Sequence, residues 1–156
     1  MLSYLLSVCL LLGPTNDISN PSDPYLKSNE VNIHAVRNLY RSFPDFSNCK
    51  WMKTENGFLA KFYVENILHE SFYDQKGRLI TTIRHLTLQN SPEFLKRLIK
   101  KNYSGYNVLT VTECLYNDDL IYQVAIENSN ASIILEWKEN KLKPVKTMKN
   151  GATTSY

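Results

Sequence analysis

The feature that most constrains this chain is a run of alternating side chains that occurs twice, each time behind a stretch of helical periodicity. In the first run Phe58, Ala60, Phe62 and Val64 alternate with Leu59, Lys61, Tyr63 and Glu65. A period of two is the pattern of a strand. Glu55-Asn56-Gly57 before it and Asn66 after it are turn residues. Residues 68–73 continue as a strand, Asp74-Gln75-Lys76-Gly77 turns the chain, and residues 79–88, rich in Ile and Thr, return. The second run opens at residues 108–116 and turns at Asn117-Asp118-Asp119. Leu120, Tyr122, Val124 and Ile126 then alternate with Ile121, Gln123 and Glu127. Asn128-Ser129-Asn130 turns again, Ile133, Leu135 and Trp137 mark a further strand, and residues 138–141 lead into a last one at 142–148.

The helical stretches are short and amphipathic. Ile33, Val36, Leu39, Tyr40 and Phe43 fall on one face, with Asn32 as N-cap and Pro44 as the stop. Phe94, Leu95, Leu98 and Ile99 form the stripe of the second, introduced by Ser91 as N-cap, Pro92 at the first helical position and Glu93 in the first turn. Phe43-Pro44-Asp45-Phe46 and Tyr103-Ser104-Gly105-Tyr106 end the two helices in the same way. The expected fold is α+β: two tandem helix-plus-antiparallel-strand repeats, residues 31–88 and 91–149, joined end to end, with both helices packed on one face. At 156 residues and 43% apolar composition the chain can bury a core without metal or disulfide staples.

These residues carry a resemblance. A helix ending in Phe43-Pro44, then Cys49-Lys50-Trp51, then Phe72-Tyr73-Asp74-Gln75-Lys76-Gly77-Arg78-Leu79 resembles the PepSY-like, beta-lactamase-inhibitor-protein-like family of small exported bacterial proteins, which carry FP…W…Y-D-x-x-G in each of two tandem halves. The likeness covers residues 31–149. It implies an antiparallel sheet with two helices on one face, export, and no catalytic activity. The last turn, Trp137-Lys138-Glu139-Asn140-Lys141-Leu142, lacks both the Asp and the Gly of the pattern, so a shorter turn or a different type is expected there. Inhibitor proteins share this fold, but fold does not transfer function, and no inhibitory residue is carried over.

Residues 2–12 are almost continuously apolar and are followed by Gly13-Pro14. The length suits the core of a signal peptide and is too short to cross a bilayer. Two readings fit: a leader over residues 1–18, which lacks a preceding Lys or Arg, or a buried first element. Leu6-Ser7-Val8-Cys9 is a poor lipoprotein box. Residues 19–30, rich in Pro, Asn, Ser and Asp, read as a flexible linker, and residues 150–156 as a tail. On the leader reading the protein is periplasmic or secreted, and nothing beyond the leader is long enough to span a membrane. Cys49 and Cys114 then remain, as a disulfide pair or as two buried thiols.

The sequence carries no catalytic, cofactor or metal set. His34, His69 and His85 show no ligand spacing, and His69-Glu70 lies on a strand. Asp118-Asp119 is first a turn. There is no phosphate-cradling loop and no nucleophile elbow. A net charge of +3 with interspersed signs argues against nucleic acid. The exception is Lys96, Arg97, Lys100 and Lys101 on one helix, read as a solvated face or an anionic-partner patch. What remains is aromatic surplus: Tyr63, Tyr73, Tyr116, Tyr122 and Trp137 are the candidates to show on the sheet face opposite the helices and bind a protein partner. The bland alternative is cross-strand stabilisation. Two further functions stay open: a sensor of small molecules or envelope polymers using a cleft between the halves, and a structural envelope protein.

Overall fold

A computed structural model describes residues 24–116 and 119–150; the leader, Cys9 and most of the tail lie outside them. The described chain forms β1 (Tyr25–Leu26), α1 (Ile33–Ser42), β2 (Ser47–Thr54), β3 (Gly57–Val64), β4 (Ile67–Asp74), β5 (Leu79–Leu86), α2 (Glu93–Asn102), β6 (Asn107–Tyr116), β7 (Asp119–Glu127), β8 (Ala131–Lys138) and β9 (Lys141–Lys149). All nine strands make one antiparallel sheet in sequence order. Tight hairpins enforce that order. Glu65 and Asn66 (φ 50° and 63°), and Glu139 and Asn140 (φ 51° and 61°), hold the left-handed pairs whose twist matches the flanking strands.

One expectation about the first part of the chain is corrected, and one feature is added. Residues 25–30 are not linker: Tyr25 and Leu26 pair with Met52 and Trp51, and Ser28–Glu30 form a single 3-10 turn. Residues 47–54 form a full strand whose alternation is interrupted by a bulge between Ser47 and Lys50, where Asn48 takes φ 51°.

Register fixes the faces. Phe62, His69, Arg84, Glu113, Tyr122 and Trp137 stand opposite one another on successive strands, so they form one row on one face. Both helices cover that face. Ala35 and Leu39 of α1 pack on Trp51, Phe58, Ala60, Phe62 and Tyr73 of the sheet. Leu95 and Ile99 of α2 pack on Leu86, Val111, Tyr122, Val124, Ile126 and Leu135. Each fully buried large side chain contributes on the order of 1.5–3 kcal/mol. The stripe expected on α1 is rotated: Ile33 and Tyr40 are 55% and 61% exposed, whereas Ala35 and Leu39 face the sheet. A small alanine marks the line of closest approach and adds little to an apolar count. At the start of α2, Ser91 does not cap; its hydroxyl donates to the Thr87 carbonyl and Pro92 takes the boundary.

Between the two cores the covered face turns polar. Arg84 Nη1 donates to Glu113 Oε1 at 2.8 Å, and the Tyr122 hydroxyl donates to Glu113 Oε2 at 2.6 Å. These bonds satisfy the carboxylate where β5 passes into β6, so the sheet continues across the seam.

Candidate functional site: the uncovered sheet face

The opposite face carries the other parity. Its rows are Met52, Leu59, Phe72, Thr81 and Tyr116; Lys50, Lys61, Glu70, Ile83, Cys114 and Ile121; and Tyr63, Leu68, His85, Thr112, Gln123, Glu136 and Lys143. Among the described residues no helix lies over it. Its centre is buried nevertheless: Glu70 and Ile83 are each 2% exposed, and Leu59, Gln123 and Glu136 are also buried. On a flat sheet these side chains would meet water. A nine-stranded sheet is twisted, and the side chains of neighbouring rows shield the middle.

Glu70 is the electrostatic centre. Lys61 Nζ reaches Oε1 at 2.8 Å and His85 Nε2 reaches Oε2 at 3.2 Å, from the strands on either side. Burial pushes the carboxyl up, but the bonds from His85 and Lys61 outweigh it and hold Glu70 below the ordinary carboxylate value. Around this centre Phe72, Met52, Leu68 and Tyr116 are half-buried, and Tyr63 is 40% exposed. Farther out Lys143 lies 3.7 Å from Glu136, and Lys138 donates to Asp119 at 3.0 Å. The face offers a preorganised charge pair within an apolar, aromatic surround.

Of the five aromatic candidates, only Tyr63 and Tyr116 lie on this face. Tyr73 and Tyr122 are 1% and 3% exposed beneath the helices, and Trp137 stacks on Phe94 with centroids 4.8 Å apart; these three are corrected to the covered side. For Tyr122 the signal was present, because it shares parity with Val124 and Ile126, both core residues. For Tyr73 it was not. Its parity partners on β4 are His69 and Ser71, polar side chains that face the helices. His69 stacks on Phe62 at 5.3 Å, and burial lowers its pKa from the ordinary value. His69 and Glu70, adjacent in sequence, point to opposite faces. Lys61, Glu70 and His85 come from three strands, and no local motif announces them.

No protein-family model matches this chain, and no curated protein sequence does either. Solved structures do. A BLIP-like protein from Bacteroides fragilis superposes with a TM-score of 0.64 over 85% of this chain and 94% of that one, at 18% identity. The fold is BLIP-like. A DUF2874 family protein from Bacteroides uniformis (TM-score 0.61, 15% identity, 74% of this chain and 87% of that one) shares it. So does a protein from Bacteroides eggerthii described as a putative periplasmic protein (TM-score 0.62, 10% identity, 76% and 88%).

Within this BLIP-like fold the cysteines stay apart. Cys49 packs against the first core, where burial pushes its thiol up to about 11, whereas Cys114 lies on the uncovered face. Four strand spacings separate β2 from β6, roughly 19 Å, well beyond disulfide reach. Among the described residues no group of three His, Cys, Asp or Glu side chains could hold a metal ion, and no helix is long and apolar enough to cross a membrane.

Proposed function

We propose that the chain is an exported, non-catalytic binding module, built as two tandem repeats, that engages a protein partner in the periplasm or outside the cell through the uncovered face of its sheet. The observation that carries this reading is the Lys61–Glu70–His85 network set among Tyr63, Phe72, Met52 and Tyr116 on a face without a covering helix. Tyr, Phe and Met are residue types enriched at interface centres, and pairing of Glu70 with Lys61 and His85 leaves no unpaired buried charge among them. Inhibition of the partner is one form such engagement takes. The apolar segment at residues 2–12 supports export, as does the description of a structural neighbour as a putative periplasmic protein.

Affinity capture from the native envelope and culture fluid tests it, with three baits in parallel: the wild-type chain, Tyr63→Ala/Tyr116→Ala, and Ile33→Ala/Tyr40→Ala on the outer surface of α1. The expected result is one dominant protein retained by the first and third baits and lost from the second. Equal retention by all three would overturn the assignment of the face. No retention by any well-folded bait would favour a small-ligand sensor or a structural envelope role.

A further inference from the structure

On the helix side, the two turns that follow the fourth and eighth strands treat their helices differently. The β4–β5 turn is pressed onto α1. Asn38 Nδ2 donates to the Gly77 carbonyl at 2.7 Å, and Asn32 Nδ2 donates to the Gln75 carbonyl at 2.9 Å. Gly77 sits at φ 79°, so close that a Cβ there would lie 2.5 Å from the Ala35 nitrogen. The β8–β9 turn is a tight pair, Glu139-Asn140, with no glycine to bring it down onto α2. A trough of about 470 Å³ remains between the turn and the helix, lined by Phe94, Arg97, Leu98, Lys101, Trp137 and Asn140.

The lining has a definite chemistry. Phe94, Leu98 and Trp137, all half-buried, supply an apolar floor. Arg97 and Lys101, one helical turn apart and about 6 Å from each other, are exposed, and neither makes an ion pair or hydrogen bond among the described residues. Their neighbour Lys96 does pair, with Glu93 at 3.5 Å. No acidic side chain lines the trough. It is open on one side, so it would cover one face of an occupant rather than the 70–90% that small ligands typically bury. An anchor side chain carried by a longer chain suits that shape, and Arg97 can take a carboxylate in bidentate fashion. Two cations and one accessible Trp do not make the extended basic, aromatic groove that tracks a single-stranded nucleic acid.

We propose that this trough is a docking site for an acidic peptide segment of a partner protein, with one aromatic or aliphatic side chain seated on Phe94, Leu98 and Trp137 and flanking carboxylates paired with Arg97 and Lys101. The site lies on the opposite side of the sheet from the face assigned above, and it stands or falls separately.

The test is a displayed library of random dodecapeptides, selected on the full chain and on an Arg97→Glu/Lys101→Glu variant. Both side chains are exposed, so the variant should still fold, with a slightly lower melting temperature from acidic side chains near the helix C-terminus and beside Glu93. Enriched sequences are expected to carry Asp or Glu on both sides of an aromatic or aliphatic residue. A synthetic peptide from that pool should change tryptophan fluorescence in the wild type. Trp51 is buried elsewhere, so Trp137→Phe should abolish the change. The charge-reversed variant should bind at least tenfold more weakly, and high salt should weaken wild-type binding. Four results would each overturn the proposal: no enrichment, enrichment of uncharged or basic sequences, equal affinity for the charge-reversed variant, or displacement of the peptide by an equimolar oligo-dT.

Discussion

The first helix and its four strands close tightly, whereas the second helix and its four strands leave a gap, and a few side chains account for the difference. In the first half, Asn38 and Gly77 clamp a turn to α1, and Asp74 stiffens that turn by accepting from the Lys76 and Arg78 amides at 2.9 Å each. Those bonds, the one from Arg78 foremost, hold the Asp74 carboxyl below its ordinary value. In the second half, Leu98 and Asn140 face each other across open space. The same layering of helix on sheet thus yields a closed core in one half and a docking trough in the other, without a change in topology.

The largest effects test whether the halves are energetically separate. Leu39→Ala and Leu95→Ala each remove a side chain that is at most 1% exposed, and each should cost about 3 kcal/mol in urea unfolding. Trp51 reports on the first core and Trp137 on the second, so single-tryptophan variants can follow each half. The continuous sheet predicts coincident midpoints in both mutants. Midpoints that separate would make the halves independent units. Next is the turn contrast. Gly77→Ala puts a Cβ into α1 at positive φ and should cost about 2 kcal/mol or more. Asn140→Gly relieves a left-handed residue at an undocked turn and should stay within about 0.5 kcal/mol of wild type. Similar losses in the two variants would erase the distinction.

Smaller effects concern the polar centres on the two faces. Glu70→Gln leaves Lys61 and His85 without their carboxylate. Both are partly exposed and can rehydrate, so chemical denaturation should show a loss of about 1–2 kcal/mol rather than the 3–5 of a fully buried pair. The smallest prediction is a pH slope. His69 and Glu70 both have lowered pKa values in the folded state, so the unfolded chain binds more protons and stability falls in acid. The His69 contribution is present above pH 6.5 and is lost as pH falls through its lowered folded value. The Glu70 contribution is lost below 4.5. His69→Gln should therefore flatten the melting-temperature profile just below pH 6.5 and leave the lower limb intact. An unchanged upper limb would contradict the role given to His69.

Much of the fold was legible in the sequence because alternation and turn chemistry are local. The Phe58–Val64 parity, the Asp74–Gly77 turn and the two ten-residue helices all follow from neighbouring residues. The candidate face was less legible because it depends on which parity the core claims, a long-range outcome. Tyr73 shows this most clearly. Its strand offers polar His69 and Ser71 to the helices and apolar Phe72 to the uncovered face, the reverse of a simple hydrophobic rule. Residues 25–30 misled for another reason. Their composition suits a linker, yet two backbone pairings with β2 are enough to make Tyr25–Leu26 a strand.

Hydroxyl-radical footprinting of the captured complex against the free protein tests the central assignment most directly. Binding through the uncovered face predicts reduced oxidation at Tyr63, Met52 and Tyr116, with Tyr40 and Ile33 on the outside of α1 unchanged. Protection at Tyr40 and Ile33 with Tyr63 still reactive would place the partner on the helices and contradict the account.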